Sequence, residues 1–190
     1  MIGAQALRFD GTPENIVEAG LDLRGAIAPG KLPLGFAIGA GYHFGASIPG
    51  GFAYEVALLP LGVSFFVDDI GWLAVVGGGD LSGVTTRVPF APRTLVEARI
   101  ELQLPGPFHF AAFARPAWLA VDARQDGSNS IGFADELEAG AGFRIGSERE
   151  RWDIDSSRGV FVGGLVRQWL GQTGFGLVVA YTVDGQFGGR

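Results

Sequence analysis

The sequence predicts an all-β protein: a closed antiparallel up-and-down β-barrel of about eight to ten strands, of the transmembrane type. Apolar residues occupy every second position over long stretches, which is the pattern of a strand with two chemically different faces. Helix signals are poor because Gly or Pro interrupts nearly every stretch of ten residues. Glycine accounts for 32 of the 190 residues, and much of it lies within the alternating stretches.

The clearest predicted strand covers residues 94–104. Successive side chains of a strand point to opposite faces, so this strand has one apolar face and one ionic face. The apolar face carries Val96, Ala98, Ile100, Leu102 and Leu104, and the ionic face carries Glu97, Arg99, Glu101 and Gln103.

Three other segments combine the same period with small residues on the second face. In residues 34–48, large apolar side chains alternate with Gly, Ala, Ser and His43, and residues 135–146 and 174–183 behave similarly. Less regular strands are predicted over 2–9, 15–28, 52–67, 71–79, 107–121 and 158–170. Three longer connections are predicted near 80–93, 122–133 and 147–157.

The small-residue face is predicted to line the interior. A strand gains little by presenting so much Gly to water, because Gly weakens a strand and adds no packing. Inside a narrow barrel, Gly and Ala leave room for long side chains from other strands. Charges of both signs fall on this face, so a paired network in the lumen is expected. The alternative is that they are ordinary pairs on a solvent face.

The two predicted faces comprise the following positions. The lumen network contains Glu97, Arg99, Glu101, Arg115, Glu136, Glu138 and Arg144, with His43 as a further polar lumen residue. The membrane-facing residues are Phe36, Ile38, Tyr42, Phe44, Val96, Ile100, Leu102, Phe143, Leu177, Val179 and Tyr181.

The length of 190 residues fits a single domain, 1–190. A net charge of −6 without a basic stripe argues against nucleic acid as a partner. No apolar run reaches about 18 residues, so a transmembrane helix is not expected. The first five residues lack the basic and apolar regions of a signal peptide. The chain would then be a processed form with an added Met, or a cytoplasmic protein.

Signs of catalytic or cofactor chemistry are weak, and neither an enzyme activity, a cofactor nor a metal is expected. His43 could pair with Glu55 or another lumen carboxylate, but it lies about 13 Å along the strand from Ser47, beyond hydrogen-bond reach. Asp68 and Asp69 fit a tight turn. The acidic segment 148–155 lacks the spacing of a calcium loop.

The pattern resembles small bacterial outer-membrane β-barrel proteins of the OmpA-like or OmpW-like kind. The resemblance is most specific in the last strand, where apolar residues alternate and end at an aromatic residue: Phe175, Leu177, Val179, Tyr181, Val183 and Phe187. Gly185 takes one alternate position, and three residues follow Phe187. The resemblance implies a bacterial outer-membrane location, the lipid bilayer as a partner, and insertion by the outer-membrane assembly machinery.

Two functional expectations remain open at this point. The first is an outer-membrane barrel with a structural role, or with a role in the passage of small solutes or hydrophobic molecules. An open pore for large solutes is not expected, because so few strands enclose little free space. The second is a soluble β-barrel or sandwich that binds a hydrophobic ligand or forms an oligomeric assembly.

Overall fold

A computed structural model describes residues 2–10, 15–27, 33–48, 50–67, 70–85, 88–123, 129–151, 154–169 and 172–187. Within these ranges the chain forms ten β-strands in a single sheet. The strands are β1 (Ile2–Phe9), β2 (Asn15–Ile27), β3 (Leu34–Ile48), β4 (Phe52–Val67), β5 (Gly71–Val84), β6 (Val88–Gln103), β7 (Phe108–Ala123), β8 (Asn129–Arg151), β9 (Ile154–Trp169) and β10 (Gln172–Phe187).

The sheet closes into a barrel through β1. From β2 to β10 each strand pairs antiparallel with the next, and β1 pairs antiparallel with both β2 and β10. Strand β1 begins at Ile2 and does not separate β2 from β10 along their whole length. The end of β10 therefore pairs directly, in parallel, with the end of β2, where Gly185 meets Gly25 and Phe187 meets Ile27. The predicted closed antiparallel barrel is therefore confirmed, with ten strands.

The strands are strongly tilted against the barrel axis. Pairing followed from Gln5 through β2, β3, β4 and β5 reaches β6 at Val88. Pairing followed the other way, through β10, β9, β8 and β7, reaches β6 at Glu101. Such a displacement requires tilt, typically about 35–45°. Because of this tilt, a side chain near the start of one strand can lie at the same height in the lumen as a side chain near the end of another strand.

The three predicted long connections are wrong, because strands continue through most of each. Strand β5 ends at Val84 and β6 begins at Val88; β7 and β8 are separated only by 124–128, and β8 and β9 only by 152–153. Within the predicted connection near 80–93, Asp80 and Arg93 face each other across the β5–β6 ladder and form an ion pair.

The barrel has two rims. The first and last described residues lie at one, which we call the terminal rim, where β2, β4, β6 and β8 end and β3, β5, β7 and β9 begin. The other strand ends lie at the opposite rim. No helix in the described ranges is long and apolar enough to cross a membrane.

Candidate functional site

The outer face of the barrel is apolar. Along β3, Phe36 and Ile38 are 69% and 53% exposed, whereas Ala37 between them is buried. Of the predicted membrane-facing residues, eight are exposed on this face: Phe36, Ile38, Tyr42, Phe44, Phe143, Leu177, Val179 and Tyr181. The other three, Val96, Ile100 and Leu102, alternate along β6 with buried inward residues and are half-buried.

A first chain of ion pairs crosses the lumen from β2 to β6. Arg24 on β2 donates through Nε and Nη2 to the two carboxylate oxygens of Glu97 on β6, each at 2.8 Å. Arg115 on β7 donates to the same carboxylate at 3.0 and 2.8 Å. Glu97 is 2% exposed, so both guanidinium groups meet at a buried carboxylate.

Glu55 on β4 is a second meeting point. Arg115 donates to its Oε1 at 2.7 Å, and Arg167 on β9 donates to its Oε2 at 2.5 Å. Arg93 on β6 lies 3.8 Å from the same Oε2. Guanidinium groups from three strands thus converge on one carboxylate that is 3% exposed.

The remaining pairs surround these two carboxylates. Arg93 donates to Asp80 through two nitrogens and to Glu136 at 2.8 Å. Arg167 lies 3.2 Å from Glu138 and 3.7 Å from Glu18. Each guanidinium is shared among several carboxylates, and this sharing offsets the desolvation of buried charge.

His43 joins the chain through β2 rather than through β4. Its Nε2 lies 3.1 Å from Oδ2 of Asp22, and Oδ1 of the same carboxylate accepts from Arg24 at 3.2 Å. Glu55 is its register neighbour on β4, but the hydrogen bond of His43 goes to Asp22. We call the whole set the central network: Glu18, Asp22, Arg24, His43, Glu55, Asp80, Arg93, Glu97, Arg115, Glu136, Glu138 and Arg167.

The central network occupies the middle of the lumen. A cavity of about 10 Å³ lies beside Glu55, Arg93, Arg115 and Arg167, room for about one water molecule. Toward the opposite rim, an apolar cluster fills the interior: Leu7, Ile16, Ala53, Val84 and Leu165, with Phe113 packed against it. The interior is therefore occupied at two successive levels.

Glycines on neighbouring strands make room for these side chains. A Cβ atom on Gly20 would lie 2.6 Å from Cγ of His43, and one on Gly41 would lie 2.8 Å from Oδ1 of Asp22. A Cβ on Gly140 would lie 2.7 Å from the ring of Phe113. These three glycines therefore lie where a long side chain of the neighbouring strand needs room.

Replacing Gly20 by alanine is expected to lower the free energy of unfolding by about 1–3 kcal/mol, the usual cost of overpacking. The new methyl group would push the ring of His43 away from Asp22. Gly164→Ala is the matched control, since nothing lies within 4 Å of its added Cβ. Urea titration of the refolded barrel measures both, and equal stabilities of the two variants would contradict the packing account.

A smaller ionic layer lies nearer the terminal rim. Arg144 on β8 donates to Glu101 on β6, and Nδ1 of His109 on β7 lies 3.6 Å from the same carboxylate. Arg99 lies over the ring of Trp72, 5.8 Å from its centroid. Glu101 and Arg144 are 3% and 2% exposed. We call this set the terminal layer.

The structure divides the predicted lumen residues between the central network and the terminal layer. Glu97, Arg115, Glu136, Glu138 and His43 lie in the central network. Glu101, Arg144 and Arg99 lie in the terminal layer. Sequence reasoning named Glu55 only as a partner for His43, and it left out six members of the central network: Glu18, Asp22, Arg24, Asp80, Arg93 and Arg167.

Some of these missed residues could have been predicted from the sequence. Glu18, Asp22 and Arg24 alternate with apolar residues along β2 in the same period as the charges of β6. On β9, Arg167 shares its inner face with Leu165 and Phe161, so no ionic face stands out there. Asp68, Asp69 and Asp153 lie outside the described residues. Among the described residues, no three His, Asp or Glu side chains form a metal-binding group.

An apolar exterior around an ionic interior reverses the arrangement of a soluble barrel. It defines this chain as a β-barrel of the transmembrane type. No family model matches the chain, and no curated protein matches it.

Two solved structures similar to the chain are a KdgM porin, with a TM-score of 0.36, and a KdgM porin in complex with disordered oligogalacturonate, with a TM-score of 0.38. Each is 12% identical, and each alignment covers 95% of this chain and 98% of the other. The class assignment rests on the distribution of side chains between the two faces.

Proposed function

We propose that this chain is a bacterial outer-membrane β-barrel protein. The carrying observation is the exposed apolar face, on which Leu177 is 69% exposed while its inner neighbour Val178 is 9% exposed. Exposing so large an apolar surface to water would be strongly unfavourable, whereas contact with the hydrocarbon chains of a bilayer is not. A closed barrel also satisfies its backbone hydrogen bonds internally, as a membrane-spanning structure must.

We further propose that its resting role is structural, with passage limited to small solutes when the central network rearranges. Arg24 and Glu97 join strands on different sides of the lumen at 2.8 Å, so an extended solute cannot pass while this pair is intact. The proposal includes insertion by the outer-membrane assembly machinery and no enzymatic activity. We also propose that the barrel is of the small OmpA-like or OmpW-like kind.

The soluble alternative meets a physical difficulty in the interior. A pocket for a hydrophobic ligand needs apolar walls, but the middle of the described lumen holds buried charges such as Glu55, Glu97 and Arg167. An oligomer would have to cover the apolar face around the whole circumference. The bilayer covers that face without any specific partner.

The decisive experiment compares the purified chain with and without detergent. We expect aggregation in buffer alone. In micelles we expect β-type circular dichroism and a band that migrates differently before and after boiling. A monodisperse, folded chain in plain buffer would overturn the proposal, because the apolar face would then have to be covered by protein.

A further inference from the structure

The central network carries an excess of negative charge. Its described members include four guanidinium groups, from Arg24, Arg93, Arg115 and Arg167. They include seven carboxylates, from Glu18, Asp22, Glu55, Asp80, Glu97, Glu136 and Glu138. Counting His43 as neutral, these described members carry a formal charge of −3, although each carboxylate contacts at least one guanidinium.

The guanidinium groups are already committed to these carboxylates. Arg115 contacts Glu97, Glu55 and Glu138 within 3.5 Å. Arg24 contacts Glu97 and Asp22 within 3.2 Å. Arg93 and Arg167 likewise each serve three carboxylates. An anion entering the lumen would have to displace a carboxylate from an arginine, whereas a cation can share carboxylates that are already present.

The low-dielectric wall of the barrel concentrates the electric field of this negative charge along the barrel axis. Apolar side chains and then hydrocarbon surround the network, so the surrounding dielectric is low and the field is focused into the lumen. Rings of Asp and Glu favour cations in pores, and rings of Arg and Lys favour anions. Among its described members the terminal layer has the opposite formal balance, since it holds two guanidinium groups, Arg99 and Arg144, and one carboxylate, Glu101.

We propose that the lumen, once the central network opens, admits small inorganic cations and excludes anions. The proposal rests on the proposed function, since it concerns a barrel that spans a membrane. Selectivity is set at the central network, where buried carboxylates from β2, β4, β5 and β6 converge with the half-buried Glu136 and Glu138 of β8. The terminal layer lies in series with it and does not reverse the preference.

The test uses a variant that opens the network without changing its net charge. Arg24→Gln combined with Glu97→Gln removes one cation and one anion and breaks the contact between β2 and β6. Reversal potentials across planar bilayers in a potassium chloride gradient give the permeability ratio. We expect potassium to be favoured over chloride by about tenfold, in line with charge focusing in a lined cleft.

A second pair of substitutions tests where selectivity arises. On the opened background, Glu136→Gln with Glu138→Gln is expected to bring the ratio close to one. Asp10→Asn is the matched control, because Asp10 is an exposed carboxylate outside the network, and it should leave the ratio unchanged. A preference for chloride, or an unchanged ratio after the Glu136 and Glu138 substitutions, would overturn the proposal.

A third measurement does not depend on conduction. The opened Arg24→Gln/Glu97→Gln barrel, folded in micelles, should unfold at a higher temperature in potassium chloride than in N-methylglucamine chloride at equal concentration. The small cation can enter the network, and the bulky one cannot. Identical midpoints would count against the proposal. Failure of the barrel to require detergent would instead count against the proposed function, so the two failures are distinguishable.

Discussion

Replacing Glu55 by glutamine is expected to lower the free energy of unfolding by about 3–5 kcal/mol, the usual cost of removing one partner of a buried ion pair. Glu55 accepts from Arg115 at 2.7 Å and from Arg167 at 2.5 Å. The amide keeps the shape of the side chain but leaves two buried guanidinium groups facing a neutral group. Equilibrium urea unfolding of the barrel refolded into lipid vesicles measures the loss.

Glu138→Gln is the matched control for this effect. Glu138 contacts the same two arginines at longer distances, 3.5 Å from Arg115 and 3.2 Å from Arg167, and we expect a smaller loss. Combining Glu55→Gln with Arg167→Gln should recover part of the stability, because fewer buried charges then lack a partner. A Glu55 variant no less stable than the Glu138 variant would show that the network does not converge on Glu55.

Replacing Leu177 by arginine is expected to cost about 2–4 kcal/mol if this position faces the middle of a bilayer. Leu177 is 69% exposed and pairs with Ala6 on one side and Gly164 on the other, so the longer side chain meets no packed neighbour. The cost would come from transferring a charge into hydrocarbon. The measurement is again equilibrium unfolding from lipid vesicles.

The same substitution at Ile48 provides the depth control. Ile48 is the last residue of β3 and is 52% exposed at the opposite rim. A charge near the interface costs only about 0–1 kcal/mol. Equal costs at Leu177 and Ile48 would contradict a bilayer centred on the barrel, since the penalty in hydrocarbon depends on depth.

A strand was predicted correctly from the sequence where the residues on each of its faces are of one chemical type. Along β3, every outward position is apolar, Ala or aromatic, and every inward position is small or polar, so both the strand and its limits were predicted as Leu34–Ile48. The segment 80–93 was predicted incorrectly as a connection. Its charged residues Asp80 and Arg93 fit a strand because each faces the other across the ladder.

The partners within the lumen could not be predicted in the same way. Alternation places Glu97 and Arg115 on the inner face, but it does not say which residues share a level. That depends on the tilt, which displaces the pairing from Val88 to Glu101 around the barrel. Arg24 reaches Glu97 although 73 residues separate them in sequence, and no local pattern encodes that distance.

The closure of the sheet through β1 has a consequence for how the chain folds. Every other pairing in the wall joins strands that are consecutive in sequence, so it can form as a hairpin with a short loop. The seam differs, because Ile2 meets Tyr181 and Ile27 meets Phe187. The loop-closure entropy that slows the folding of β-proteins is thus concentrated in this one seam. We therefore expect the pairing of β10 with β1 and β2 to limit the rate at which the barrel closes.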